Sequence, residues 1–173
     1  MWETAEGMGA DTVLRGGAST SGGYPRRYLR FDDTGRHYRT TGGGLGPGMP
    51  APIGIKLARP DKPVLSIVGD GAALYTIQAL WTAAHHKIPL LSVMNNNRAY
   101  HMELMHVQKM CNARNRNVDR GQIGSQITDP NIDYAKLAQS MGVYGEGPIT
   151  NPNDLGPSLK RAISVVSRGE PGL

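Results

Sequence analysis

Between residues 64 and 94 the chain sets two short apolar runs around one amphipathic stretch, an order that few folds accept. The first run, Val64-Leu65-Ser66-Ile67-Val68, is rich in β-branched residues and bounded by Pro63 and Gly69. A run that apolar reads as a strand covered on both faces, as in a parallel sheet. Leu74, Ile77, Leu80, Trp81 and Ala84 then recur at helical spacing, which predicts a helix over 74–86 with these residues on its buried stripe. A second apolar run over 88–94 closes a βαβ unit and leads into Asn95-Asn96-Asn97. The pattern predicts an α/β domain, three layers deep (α/β/α), around a mostly parallel sheet.

Two strand ends then lie side by side at the carboxyl edge of the sheet, where open α/β sheets bind ligands. One carries Gly69-Asp70-Gly71 and the other the asparagines. Asp70 offers a hard anionic oxygen and Asn97 a neutral one, a donor pair suited to magnesium that keeps positions open for substrate phosphate. Gly71 permits close backbone approach, and the N–H groups of Gly71, Ala72 and Ala73 at the start of the predicted helix can meet phosphate oxygens. Asp70 alone could equally serve as a helix N-cap. The asparagine run at the neighbouring strand end favours the cation.

These residues resemble the cofactor-binding domain of thiamine diphosphate-dependent enzymes, whose signature is Gly-Asp-Gly, a spacer, then Asn-Asn. Asp70 and Asn97 stand 27 residues apart, the family's usual spacing. Asn96-Asn97-Arg98-Ala99-Tyr100 matches the Asn-Asn-x-x-Tyr pattern, and residues 75–84 look most like benzoylformate decarboxylase and acetolactate synthase-like members. The resemblance implies Mg²⁺ held by Asp70, Asn97 and the carbonyl of Ala99, with thiamine diphosphate around Gly69 to Ala73 and Tyr100. It further implies that Gly43 and Gly44 hold the aminopyrimidine, and that Leu45 wedges between the cofactor's rings. Ser19 and Thr20 match a hydroxyl-rich stretch that touches the diphosphate, although Gly17 stands where relatives have Glu. Ala72 replaces a common Ser, and His101 replaces a common Gly. His101 is a candidate for protonating or orienting an intermediate; packing within a loop or facing solvent is the plainer expectation.

The rest of the chain narrows the alternatives. The net charge of +5 forms no stripe, and Arg114, Arg116 and Arg120 alternate with Asn rather than aromatics, which argues against nucleic acid. Gly46 to Ala51 satisfies a dinucleotide pattern, yet polar residues precede it and prolines interrupt it. The histidines at 85 and 86 fit a helix end rather than a metal pair. A single cysteine, Cys111, and no signal-like or membrane-length apolar segment lead to the expectation of a soluble, cytoplasmic protein without nucleic-acid or membrane partners.

Residues 1–23 are Gly-rich and poorly patterned, and 24–173 read as the cofactor domain, expected to stop before its last strand. Within it, 24–41 read as loop with one short strand, 49–58 as helix, and 105–128 as a mobile segment without periodicity. Helices follow at 134–141 and from 151 to about 167. The resemblance implies a 2-oxo acid as substrate, either decarboxylated by a lyase or joined to a second carbonyl by a transferase. It also implies a homo- or hetero-oligomer in which a pyrimidine-binding domain or subunit supplies a catalytic Glu that no residue here matches. The competing reading is a non-catalytic magnesium and phosphate-ligand binding module.

Overall fold

A computed structural model describes residues 8, 9, 11–20 and 34–173. The expectations for residues 1–7, 10 and 21–33, including Tyr24, Tyr28 and Phe31, lie outside the described residues. Among the described residues, four strands form one parallel sheet, β1 (Val13–Gly17), β2 (His37–Arg39), β3 (Val64–Gly69) and β4 (Leu91–Asn95), in the order β2-β1-β3-β4. The helices are α1 (Pro50–Ala58), α2 (Asp70–Leu74), α3 (Ala79–His85), α4 (His101–Ala113), α5 (Tyr134–Ser140) and α6 (Pro152–Ser167).

Side chains of β3 alternate between two cores, which explains why its sequence is apolar throughout. Val64 packs with Ile53 of α1 and Ala83 of α3. Leu65 and Ile67 point the other way, to Leu14, Leu91 and Ala162 of α6. Helices therefore cover both faces, and the three-layer α/β expectation holds.

Several local expectations need correction. β1 lies in the centre of the sheet, although the periodicity of residues 1–23 marks no strand there. Its second half, Arg15-Gly16-Gly17, has no apolar side chain, so only pairing with β2 and β3 identifies it. The helix expected over 74–86 is broken into α2 and α3. Between them the bonds tighten to i,i+3, as in Thr76 N–H to Ala73 and Ala79 N–H to Thr76. The Thr76 hydroxyl also donates to the Gly46 carbonyl at 2.5 Å, tying this break to the glycine-rich loop. Trp81 consequently faces outward, 55% exposed and stacked on His85, while Leu80 and Ala83 take the buried stripe.

β4 begins at Leu91 rather than 88. Ile88 and Leu90 are buried, but the Ile88 N–H bonds back to Ala83 and Pro89 has none to give. The first part of 105–128 is helical, as α4, which buries no residue. A helix without a buried stripe leaves no periodicity in sequence. α5 and α6 start on side-chain caps, Asp133 accepting from Lys136 N–H and Asn151 from Asn153 N–H, and Gly142 follows the first with φ of +79°.

Residues 171–173 continue the sheet. Gly172 forms parallel bridges with both Leu91 and Tyr144. That edge is braced by Glu146, which accepts from the Tyr144 hydroxyl at 2.5 Å and pairs with Arg161 of α6. Chiefly through the Arg161 hydrogen bond, its carboxyl is held down to about 2 from the ordinary 4.5. A carboxylate ionised more readily in the folded state stabilises the fold in full above the unfolded value and less as it becomes protonated. The brace should therefore weaken as pH falls from about 4.5 towards 2. Thermal melts of Glu146→Gln against the parent should differ at neutral pH and converge across that window.

Candidate functional site

β3 and β4 are hydrogen-bonded neighbours in parallel, with Gly69 opposite Asn95. Their carboxyl ends deliver Asp70 and the asparagines to one place. A small cleft of about 50 Å³ opens there, lined by Ser19, Thr20, Leu45, Gly69, Asp70, Gly71, Ala72, Asn97, Ala99, Tyr100 and His101. The cleft thus gathers residues from four separate stretches of sequence.

Asp70 is its most unusual member. The side chain is only 1% exposed, and its Oδ2 is buried without a hydrogen-bond partner. Burial pushes the carboxyl above its ordinary value, while the backbone N–H groups of Gly71, Arg98 and Ala99 act in the opposite direction. An orphaned anionic oxygen in such a place is costly unless something cationic meets it. The alternative reading of Asp70 as an N-cap does not hold: Gly69 occupies the N-cap position of α2, with no side-chain cap.

Asn97 lies across the cleft, and its Oδ1 accepts from the Ala99 N–H at 3.1 Å. That bond leaves the Ala99 carbonyl free of the Asn97 side chain and closes the turn tightly, with Arg98 at a φ of +57°. The turn is held from outside by Tyr100 N–H to Ser125 and Ile127 N–H to Arg98, at 2.8 and 2.7 Å. These are oxygen donors suited to a hard divalent ion, so the residues present fit magnesium.

Tyr100 packs directly on Gly71. A Cβ at that glycine would come within 2.5 and 2.7 Å of the ring, so residue 71 admits no side chain while the ring stays in place. The same ring meets Tyr75 edge-on at 6.4 Å. Burial, with smaller contributions from Tyr75 and Asp70, raises the Tyr100 phenol above its ordinary value.

Not every anticipated residue reaches this cleft. Gly43 and Gly44 line an adjoining cavity of about 110 Å³ that shares Ser19, Leu45 and Ala72 with the first. Ala73 is fully buried in the core against Val68 and lines neither cavity. His101 is the first residue of α4 and faces the cleft, rather than sitting in a loop. Met102 and Glu103 line it too, as does Asn95, whose buried Nδ2 has no partner. Sequence reasoning passed over all three. Asn95 was visible as the first of three asparagines, but Met102 and Glu103 gave no signal without knowledge of the helix start at His101.

A larger cavity of about 410 Å³ runs along the outer edge of β4, between Asn96, Glu146, Leu155 and Leu173. It contains none of the anticipated ligand residues and is mainly apolar, so size does not mark the chemistry here.

The sequence profile described as thiamine pyrophosphate enzyme, C-terminal TPP binding domain, matches residues 17–172. The acetolactate synthase large subunit of Haemophilus influenzae is 32% identical over 140 residues, which is 80% of this chain and 23% of that protein. Benzoylformate decarboxylase of Pseudomonas aeruginosa is 41% identical over 72 residues, 42% of this chain and 14% of that protein. Among solved structures, the thiamine diphosphate-dependent 4-hydroxybenzoylformate decarboxylase of Rhodococcus jostii RHA1 superposes with a TM-score of 0.81 at 29% identity, covering 99% of this chain and 30% of that one. The chain thus spans about a quarter to a third of the length of relatives matched along most of it. With the profile spanning β2 to β4 and both strand tips, the chain belongs to the thiamine pyrophosphate enzymes and carries their C-terminal TPP-binding domain.

Proposed function

We propose that this domain binds thiamine diphosphate through Mg²⁺ at the β3–β4 tips, within a lyase or transferase that acts on a 2-oxo acid. The observation that carries the reading is the buried, unpartnered Oδ2 of Asp70, a residue that lines the same cleft as Asn97 and Ala99. Asp70, Asn97 and the Ala99 carbonyl would hold the metal. The N–H groups of Gly71 and Ala72, and the hydroxyls of Ser19 and Thr20, would meet the diphosphate. Gly43 and Gly44 would border the pyrimidine, with Leu45 between the two cavities as the wedge.

Thiamine diphosphate, when bound, supplies the electron sink that breaking a carbon–carboxylate bond requires. The chain's own part is to bind, to orient and to exclude water. Tyr100 over Gly71 seals one side of the cleft, and His101 stands at its rim, where it could orient a substrate oxygen or move a proton. A carboxylate from a second domain or subunit would complete the site, because relatives are three to four times longer than the matched segment. The names of the relatives favour decarboxylation or carboligation equally.

Calorimetry of the 173-residue chain should give Mg²⁺-dependent heat with thiamine diphosphate and none with ADP. Equal heats would instead favour a general magnesium and phosphate-ligand module. Asp70→Asn should raise the melting temperature of the metal-free chain, since it removes a buried unpaired charge, and should cancel the rise caused by Mg²⁺ with cofactor. The chain alone should release no carbon dioxide from benzoylformate or pyruvate; turnover by purified chain would refute the need for a second domain. Gly71→Ala should cost about 1–3 kcal/mol in urea unfolding through overpacking against Tyr100. Adding Tyr100→Leu should recover most of that loss.

A further inference from the structure

Residues 171–173 are inserted between β4 and the stretch that follows α5, and they are hydrogen-bonded on both sides. The Gly172 N–H donates to the Leu90 carbonyl at 3.0 Å, and the Gly172 carbonyl accepts from the Ser92 N–H at 2.8 Å. On the other side the Leu173 N–H donates to the Tyr144 carbonyl at 2.8 Å, and the Leu173 carbonyl accepts from the Glu146 N–H at 3.0 Å. Gly172 is thereby bridged in parallel to both Leu91 and Tyr144. These few residues hold a strand position beside β4 but cover only its beginning.

The cavity of about 410 Å³ takes up where they leave off. One wall is β4 from Leu91 to Asn95, the other runs from Glu146 to Thr150, and Leu173 lines it too. Leu159 and Ala162 of α6 lie on one face of it, and Tyr134 and Ala135 of α5 also line it. In a strand, the N–H and carbonyl of one residue point to the same neighbour, and those of the next residue point to the opposite one. Because the Ser92 N–H turns to Gly172, the Ser92 carbonyl and the Met94 N–H and carbonyl turn to the same side. No described backbone group beyond Leu173 stands there to answer them. On the far wall Pro148 has no N–H to give, so pairing there ends near Glu146.

We propose that this cavity is a slot for a further length of parallel strand, about four residues joined directly to Leu173 and hydrogen-bonded along β4 to Ser92 and Met94. A row of backbone donors and acceptors selects a polypeptide, whereas a small apolar ligand would leave each of them unanswered. Register makes the occupant continuous with Leu173, whose N–H and carbonyl are already bonded in line. A separate peptide would bring a charged terminus into a mainly apolar space. The side chains it fits follow from the alternation. Gly172 stands opposite Leu91, which packs with Ala162 of α6, and Leu173 packs in the core that holds Met94 and Ala138 of α5. The first added side chain therefore turns towards α6 and the second towards α5, and both suit apolar, β-branched residues. Neither metal nor cofactor takes part, so the slot stands independently of the thiamine diphosphate reading.

The test extends the full chain after Leu173 with Ile-Val-Val-Thr in one version and Gly-Ser-Gly-Ser in another, both free of metal and cofactor. The apolar extension should raise the melting temperature by several degrees over the parent, and the Gly-Ser extension should leave it unchanged. Amide hydrogen exchange at Met94 should slow by about tenfold or more in the first version only, because a bonded amide exchanges only when the strand opens. Should the apolar version aggregate, Thr-Val-Thr-Lys replaces it, keeping β-branched residues at the paired positions and placing a charge at the far end. A melting temperature raised equally by both extensions would overturn the slot. So would an apolar extension that leaves exchange at Met94 as it is in the parent, since its added residues would then lie elsewhere.

Discussion

Parallel pairing of β3 with β4 is the constraint on which the rest of the site depends. Parallel strands bring like ends together, so both chains leave the sheet at the same edge and turn over it in the same sense. Opposite Gly69 stands Asn95, and everything that follows each residue is set by that register. A slip of one residue would turn Asp70 from its buried position to the other face and separate it from the Asn97 turn. The two cores that fill the faces of β3 prevent such a slip, because it would exchange Leu65 and Ile67 for Val64, Ser66 and Val68.

The edge so built carries two buried ions of opposite sign in adjoining cavities. Asp70 Oδ2 and Arg15 Nη1 are both without hydrogen-bond partners, and they do not neutralise each other. Elsewhere the described ions are treated differently. Glu146 has Arg161 and Tyr144, and Lys62 has Asp11, all nearer the surface. Leaving a carboxylate unanswered in the interior costs stability, and folds retain such a feature chiefly where a ligand supplies the missing partner. Glycines at 17, 48 and 71 are the accompanying device: each clears space that a side chain would fill, for Arg15 at 17, for Val68 at 48 and for Tyr100 at 71.

The sequence made β3, α1, α5 and α6 legible because each carries its signal locally: a β-branched run, a proline start, an aspartate or asparagine cap. It concealed β1, whose Arg15-Gly16-Gly17 half is shaped by what the neighbours need, namely a guanidinium pocket and backbone pairing on both sides. It concealed α4 as well, since a helix that buries nothing has no apolar stripe to display. The apparent stripe over 74–86 misled for a related reason. Helical spacing places Trp81 beside Leu80, but the break at 75–78, held by Thr76 on Gly46, rotates the second half and turns the indole outward.

From residue types and spacing alone one could derive the α/β class, the family, and the meeting of Asp70 with Asn97 at one sheet edge. These follow from local periodicity and from a motif whose spacing is itself a product of the βαβ geometry. Only the tertiary structure decided that Asp70 is left with an unpartnered oxygen, that Tyr100 packs on Gly71, and that Arg15 lies buried with its Nη1 unpartnered. Burial and the satisfaction of a polar group depend on atoms brought from distant parts of the chain, and no local pattern records them.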